Sequence, residues 1–177
     1  MSLSTVSPGV HAPEEVNVII EIPANSAPVK YEVDKVTGAI FVDRFMATPM
    51  FYPCNYGYVN ETLAEDGDPV DVLVLTRYPV LSGAVLPARP VAVLRMDDEA
   101  GDDAKLLAVP PDRLCTEFAG IRGAKDVPEH LLKRIEHFFE HYKDLEPGKW
   151  VKLRGWGDAE EARQVIVDSI QRHKDAQ

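Results

Sequence analysis

Along the chain, apolar positions recur in short runs bounded by Gly, Pro and Asn until about residue 110, where the period changes. Residues 17–22 form the first predicted strand, an apolar run closed by Pro23 and interrupted by Glu21. The ordinary explanation of that glutamate is an edge carboxylate leaning to water. Residues 29–33 and 39–45 flank a five-residue turn ending in Gly38, the pattern of a β-hairpin. Alternation puts Lys30 and Glu32 on one face and Tyr31 and Val33 on the other. Residues 49–58, dense in Tyr, Phe, Pro and Gly, read as a packed irregular connection, its tyrosines either core filler or phenol donors. Strands are predicted at 70–76, 91–96 and 106–109. Between them Gly83, Pro87 and Pro90 suggest short strands with tight turns over 79–90.

In the last third, Leu131, Ile135, Phe138, Phe139 and Tyr142 share one face of a helix predicted over 127–145. Asp126 is its expected N-cap, Pro128 falls in the first turn, and Pro147-Gly148 ends it. A strand at 149–154 leads to a turn at Gly155-Trp156-Gly157. Asp158 then caps a final helix with Ala162, Val165, Ile166 and Ile170 on one side. These elements predict an α+β fold: a small closed antiparallel β-barrel, OB-like, with extra strands and two C-terminal helices. The 177 residues are read as a single catalytic domain, with residues 1–12 a poorly specified N-terminal extension.

Composition narrows the function classes. The 45% hydrophobic and 27% charged fractions are those of an ordinary globular chain. No apolar run approaches the roughly 20 residues that span a bilayer. The N-terminus has no secretory pattern, and Cys54 and Cys115 lack zinc-site spacing, so a reducing, cytoplasmic setting without membrane contact is expected. A net charge of -10 argues against a nucleic-acid partner. It leaves room for a small phosphate ligand reached through metal ions.

The chemistry concentrates at Asp66-Gly67-Asp68-Pro69-Val70-Asp71, three acids at the mouth of a predicted buried strand. Crowded carboxylates there cost free energy unless a cation holds them, and oxygen-only donors suit Mg2+ or Ca2+. The stretch is not an EF-hand loop: counted from Asp66, the fifth, sixth and twelfth residues are Val70, Asp71 and Arg77. It also fails as an aspartyl-phosphate motif, because the strand follows the acids. A second acidic turn spans 97–105. Alone it would be a solvated hairpin tip, but it repeats the combination of strand and acid. Acids, cations at 30, 44, 105 and 143, and tyrosines at 52, 56 and 142 form the set that hydrolysis of a charged phosphoanhydride requires.

The run Glu65-Asp66-Gly67-Asp68-Pro69-Val70-Asp71-Val72 resembles the D-G-D-P-x-D signature of soluble family I inorganic pyrophosphatases of the prokaryotic type. Lys30-Tyr31-Glu32, Arg44, Tyr52-Pro53-Cys54-Asn55-Tyr56-Gly57, Asp98-Glu99 with Asp103-Ala104-Lys105, and Tyr142-Lys143 follow in family order. The resemblance implies hydrolysis of diphosphate to two orthophosphates by attack of a metal-bound water or hydroxide, with Asp68 as general base. It implies several Mg2+ ions, with Mn2+ or Zn2+ as substitutes, held by Asp66, Asp71, Asp103, Asp98, Glu32 and Glu21. Lys30, Arg44, Tyr56, Lys105, Tyr142 and Lys143 would grip the two phosphates. Tyr52 would support the surroundings of Asp68 by hydrogen bonding, and a homohexamer is the implied assembly. Alternation pairs Asp103 rather than Asp102 with Lys105, whereas the choice of Asp98 over Asp97 comes from the resemblance alone. Two other classes fit the sequence less well: a nucleotide or polyphosphate anhydride hydrolase, for which no base or ribose site is evident, and an acidic Ca2+- or nucleic-acid-binding barrel, whose required basic groove is missing.

Overall fold

The computed structural model describes residues 2–177; Met1, the start of the N-terminal extension, lies outside the described residues. In chain order the elements are β1 (Val16–Ile22), β2 (Val29–Val33), β3 (Ile40–Phe45), β4 (Asn55–Val59), β5 (Val70–Val74), β6 (Val85–Asp98), β7 (Gly101–Asp102), β8 (Lys105–Val109), α1 (Glu129–His141), β9 (Val151–Gly157) and α2 (Ala159–Asp175). Strands β1, β4, β5, β8 and β6 pair in that order, and β6 returns to β1, which closes the expected barrel. All of these pairings are antiparallel except β5 with β8, which runs parallel. The hairpin β2–β3 forms its own two-stranded sheet beside the barrel.

Alternation within each barrel strand divides two apolar layers. Val70, Val72 and Val74 of β5 join Leu106 and Ala108 of β8 under α2, where Ala162 and Ile166 are buried. Leu73 and Leu107 face the other way, towards Phe138 and Phe139 of α1 and the rings of Tyr52 and Tyr56. Asp71 and Lys105, two residues before Leu73 and Leu107, continue this second face out to the barrel mouth.

Several local expectations change. The aromatic stretch ends in a true strand, β4, every residue of which is buried. Its period is hidden because Gly57 sits where a side chain could not: a Cβ there would lie 2.0 Å from the Ile19 carbonyl oxygen. Asn55 then ties this strand to its surroundings. Its Oδ1 accepts from the amides of Ala24 (3.0 Å) and Val80 (2.8 Å), while its Nδ2 donates to Thr76 Oγ1 (2.6 Å).

Residues 85–98 form one continuous strand, not the short pieces that Pro87 and Pro90 suggested. β6 changes partners along its length, from β1 at Val85–Ala88 to β8 from Arg89 onward, and the ladder slips between Pro90 and Ala92. Prolines, lacking an amide donor, are cheapest where a ladder changes hands. Likewise Gly155-Trp156-Gly157 stays within β9 instead of turning the chain; Arg154 is an extra residue between Leu153 and Gly155, and Gly155 takes φ +93°.

Asp126 does not cap α1. It closes the preceding single 3-10 turn by accepting from the Arg122 and Gly123 amides at 2.9 and 3.0 Å, and Pro128 occupies the position before the helix. Asp158 does cap α2, accepting from the Glu161 amide at 2.9 Å. Residues 2–8 lie against the hairpin turn and the end of β4: Ser2 Oγ donates to Thr37 O, and Asn60 Nδ2 donates to Ser4 O and Val6 O. Among the described residues no helix is long and apolar enough to cross a membrane.

The contact at Gly57 sets a sharp expectation. Gly57→Ala forces β1 and β4 apart at the barrel seam and should lower stability by about 3 kcal/mol or more. A urea unfolding midpoint unchanged from wild type would contradict that reading.

Candidate active site

The register of the parallel pair places Asp71 directly beside Lys105. The Lys105 ammonium, 4% exposed, donates to Asp71 Oδ2 and, at 2.5 Å, to Asp103 Oδ1. Burial works against a charge on Lys105, yet the two carboxylates outweigh it and hold the ammonium well above the usual lysine range. Asp103 is pushed above the usual carboxylate range by burial, with the charges of Asp71 and Asp98 adding and that of Lys105 opposing.

The acidic turn stands next to this pair. Asp66 Oδ1 accepts from the Asp68 amide at 3.0 Å, Ala64 N donates to Asp68 O, and Gly67 supplies φ +92° between the two aspartates. This folds the Asp66 side chain back onto the turn and leaves that of Asp68 free at the surface. Asp66 is also raised, first by burial and then by Asp103 and Asp71, against the pull of the Asp68 amide and Lys105. Asp68, Asp71, Glu21, Lys30, Glu32 and Tyr56 meet around a cleft of about 70 Å³. A larger cavity of about 470 Å³, bordered by Arg122, Lys125 and Trp156, holds none of the predicted site residues.

Glu21 is no edge carboxylate. Ile20 pairs with Gly57 and Ile22 with Tyr56, so Glu21 is the extra residue of a β-bulge, which turns its side chain out of the apolar alternation. Its Oε1 accepts from the Val33 amide at 2.7 Å and lies 3.7 Å from Lys35 Nζ. Burial raises its pKa to about 7, with the Val33 amide and Lys35 opposing. A second bulge, at Asp43 opposite Lys30 and Tyr31, brings Asp43 Oδ2 to 3.3 Å from Lys30 Nζ.

On the α1 side, Lys143 Nζ donates to Asp98 Oδ2 at 2.7 Å and lies 3.6 Å from Glu99 Oε1. Asp97 and Asp102, opposite one another across β6 and β7, pair instead with Arg154. The strand end thus divides its four aspartates: 98 and 103 turn to site lysines, 97 and 102 away. Tyr52, Tyr56, Phe138 and Tyr142 form an aromatic row, with ring centroids 5.0, 4.5 and 5.1 Å apart in turn along Tyr56–Tyr52–Phe138–Tyr142. The ring of Tyr52 packs in the middle of this row, between those of Tyr56 and Phe138. Arg44 does not line this small cleft but adjoins it through Asp43, to whose Oδ2 its Nε donates at 3.1 Å, while its Nη1 donates to Glu146 Oε2 at 2.9 Å.

Among the described residues no three His, Cys, Asp or Glu side chains converge as a ready ligand set. The donor chemistry nonetheless fits a hard divalent cation. Every candidate ligand is a carboxylate oxygen, and Asp66 and Asp103 are both raised by burial and by neighbouring acids. Lys105 and Lys143 now supply the cationic charge at three of these oxygens.

Sequence reasoning passed over Lys35. Its ammonium stands 3.4 Å from the Tyr58 ring centroid as well as beside Glu21, and it borders the same cleft. As the second residue of a hairpin turn it carries no periodic signal. Glu99, between Lys143 and Lys149, stands out in the sequence only as part of the second acidic turn.

A family model described as inorganic pyrophosphatase matches residues 18–174. The chain is 60% identical over 174 residues to an inorganic pyrophosphatase of Escherichia coli strain K12, covering 98% of this chain and 99% of the relative. Among solved structures, an inorganic phosphatase from Anaplasma phagocytophilum superimposes with a TM-score of 0.94 at 51% identity, covering 96% of this chain and 99% of that one. An inorganic pyrophosphatase from Thermus thermophilus gives 0.92 at 44% identity, covering 98% and 99%.

Glu21 generates a pH prediction for the metal-free protein. Its folded pKa of about 7 exceeds the ordinary 4.5, so the folded state binds the extra proton between those values. The stability contributed by that proton is complete below 4.5 and lost as pH rises through about 7. Glu21→Gln keeps a carbonyl for the Val33 amide and removes the titration. Its urea midpoint should gain on wild type across this window, whereas parallel pH curves would exclude the assignment.

Proposed function

Since the chain belongs to the inorganic pyrophosphatase family, we propose that it hydrolyses diphosphate to two orthophosphates at the barrel mouth, with Asp68 as general base. The observation that carries this reading is the meeting of carboxylates from the barrel with cations from the hairpin and from the end of α1. A substrate that is all phosphate oxygen needs both: acids to hold its counter-ions and cations to neutralise its charge.

In this reading Asp66, Asp71, Asp103, Asp98, Glu32 and Glu21 hold Mg2+ ions. Bound there, such ions supply Lewis-acid charge neutralisation and make a water easier to deprotonate. The protein's own groups do the rest. Lys30, Arg44, Tyr56, Lys105, Tyr142 and Lys143 donate to the phosphate oxygens on which charge sits in the transition state. Asp68, whose side chain is exposed at the cleft while Asp66 is tied back to its amide, receives the proton of the attacking water. Support for separating base from ligands comes from the turn: Gly67 and Pro69 set the two neighbouring acids in different surroundings. The buried rings of Tyr52 and Phe138 back the tyrosine donors and keep water from that wall.

The whole chain acts as one catalytic domain, in the cytoplasm. Self-association into a homohexamer accounts for the apolar side chains that β3 leaves exposed, Phe41, Val42 and Phe45 among them. On a sizing column with light-scattering detection, the mass should be six times the 19.7 kDa of one chain; a monomer would rule this assembly out.

Asp68→Asn should reduce turnover about 10²–10⁴-fold while the fold is kept, the size of a general-base contribution. Phosphate release from diphosphate at wild-type rate in that variant would sink the role given to Asp68. With Ca2+ in place of Mg2+, the protein should still bind the ion, because the donors are carboxylate oxygens. It should turn over little, since the larger ion accepts looser geometry.

A further inference from the structure

Between β6 and β8 the chain makes a tip, residues 97–104, that carries four aspartates and Glu99 but no large apolar side chain. The last apolar anchors are Met96 on one side and Leu106 on the other, both buried. Beyond them β7 is only two residues long, and its ladder with β6 has two rungs. One rung sets Asp97 opposite Asp102, and like charges facing each other across a ladder are destabilising. The tip works against its own closure. The returning strand keeps its course all the same, with the Asp103 amide donating to Met96 O at 2.9 Å.

Arg154 relieves that repulsion from a third strand. Its Nη2 lies 3.1 Å from Asp97 Oδ1 and donates to Asp102 Oδ2, so one nitrogen bridges the facing pair. The bulge in β9 makes this reach possible. Arg154 is the extra residue opposite Arg95 and Met96, and Gly155, at φ +93°, absorbs the turn of the backbone. Among the described residues, Asp97 and Asp102 have no other ion-pair partner.

We propose that Arg154 is a positioning residue for the metal-binding acids: by bridging Asp97 and Asp102 it keeps the tip closed and withholds these two carboxylates from the ions. That role presupposes the reading above of Asp98 and Asp103 as ligands. Each strand of the tip offers two adjacent aspartates of equal chemistry, so donor type gives a hard cation no preference between them. Occupation of the site sharpens the need. In the metal-free protein Lys143 and Lys105 hold Asp98 and Asp103. With ions on these acids and both lysines turned to phosphate, Arg154 is the cation left to the facing pair.

The test compares Arg154→Gln with Arg163→Gln, which removes the same charge from an exposed pair on α2. A triple variant adds Asp97→Asn and Asp102→Asn to Arg154→Gln. In the metal-free protein, amide exchange at Asp103 should be about two- to tenfold faster in Arg154→Gln, the range that loss of two exposed ion pairs supplies. In calorimetry without substrate, Mg2+ should bind that variant more weakly by the same factor. The sign is decisive, because loss of a nearby cation by itself strengthens cation binding. Arg163→Gln should match wild type in both measurements, and the triple variant, with no facing charges to bridge, should recover both. Equal exchange or unweakened Mg2+ binding in Arg154→Gln, or a triple variant no better than Arg154→Gln, would overturn the proposal. Neither readout depends on turnover, so a wild type that releases no phosphate from diphosphate counts against the proposed function alone.

Discussion

The site depends on a lysine that the fold places where a cation is hardest to keep. Lys105 stands at the start of β8, buried, in register with Asp71 and one hydrogen bond from Asp103. Removing one partner from a buried set of charges of this kind costs about 3–5 kcal/mol, because the remaining charges stay desolvated and uncompensated. The parallel pairing of β5 and β8 is what makes the arrangement possible. Both strands begin at the same end of the barrel, so their first polar residues come side by side, and the loops leading into them bring Asp66, Asp68 and Asp103 to the same mouth.

Around that centre, irregularities of the backbone do the aiming. Strict alternation would have sent Glu21 into the apolar layers or out to solvent. The bulge opposite Gly57 sends it instead towards Val33 at the end of β2. The bulge at Asp43 provides a partner for Lys30. At the far end of β6, plain alternation suffices, dividing Asp97 and Asp102 from Asp98 and Asp103. Arg154, the cation that partners the first pair, is itself the extra residue of a bulge.

Legibility in the sequence follows the same line. Elements whose pattern is set by local physics could be read directly: the hairpin from its Gly-containing turn, β1, β5 and β8 from their apolar runs, α2 from Asp158 and its apolar stripe. The acids around Asp68 were conspicuous because carboxylates at the mouth of an apolar strand are costly. What escaped was set by contacts distant in sequence. β4 looked irregular because Gly57 gives up its side chain to a neighbouring strand, and β6 looked broken because its prolines fall where it exchanges partners. Asp126 was assigned one turn too far along, since the amides of Arg122 and Gly123 compete for it. Lys35 was passed over because a turn lysine acquires meaning only once Glu21 and Tyr58 lie beneath it.

The hairpin β2–β3 shares no ladder with the barrel. It contributes Lys30, Glu32 and Arg44, while the barrel and its loops contribute the aspartates. The join between them is made by side chains: Val33 against Ile19 and Tyr58, its amide on Glu21, Lys35 over an aromatic ring, and Tyr31 packed against the larger apolar core. The protein is thus built as an anionic bowl with a hairpin of balanced charge fastened along one edge, bringing Lys30, Lys35 and Arg44 to it. Such a division lets the two halves be altered separately. The hairpin can be altered to change how the anion is gripped on its side, while the aspartates of the bowl and the base among them are left as they are.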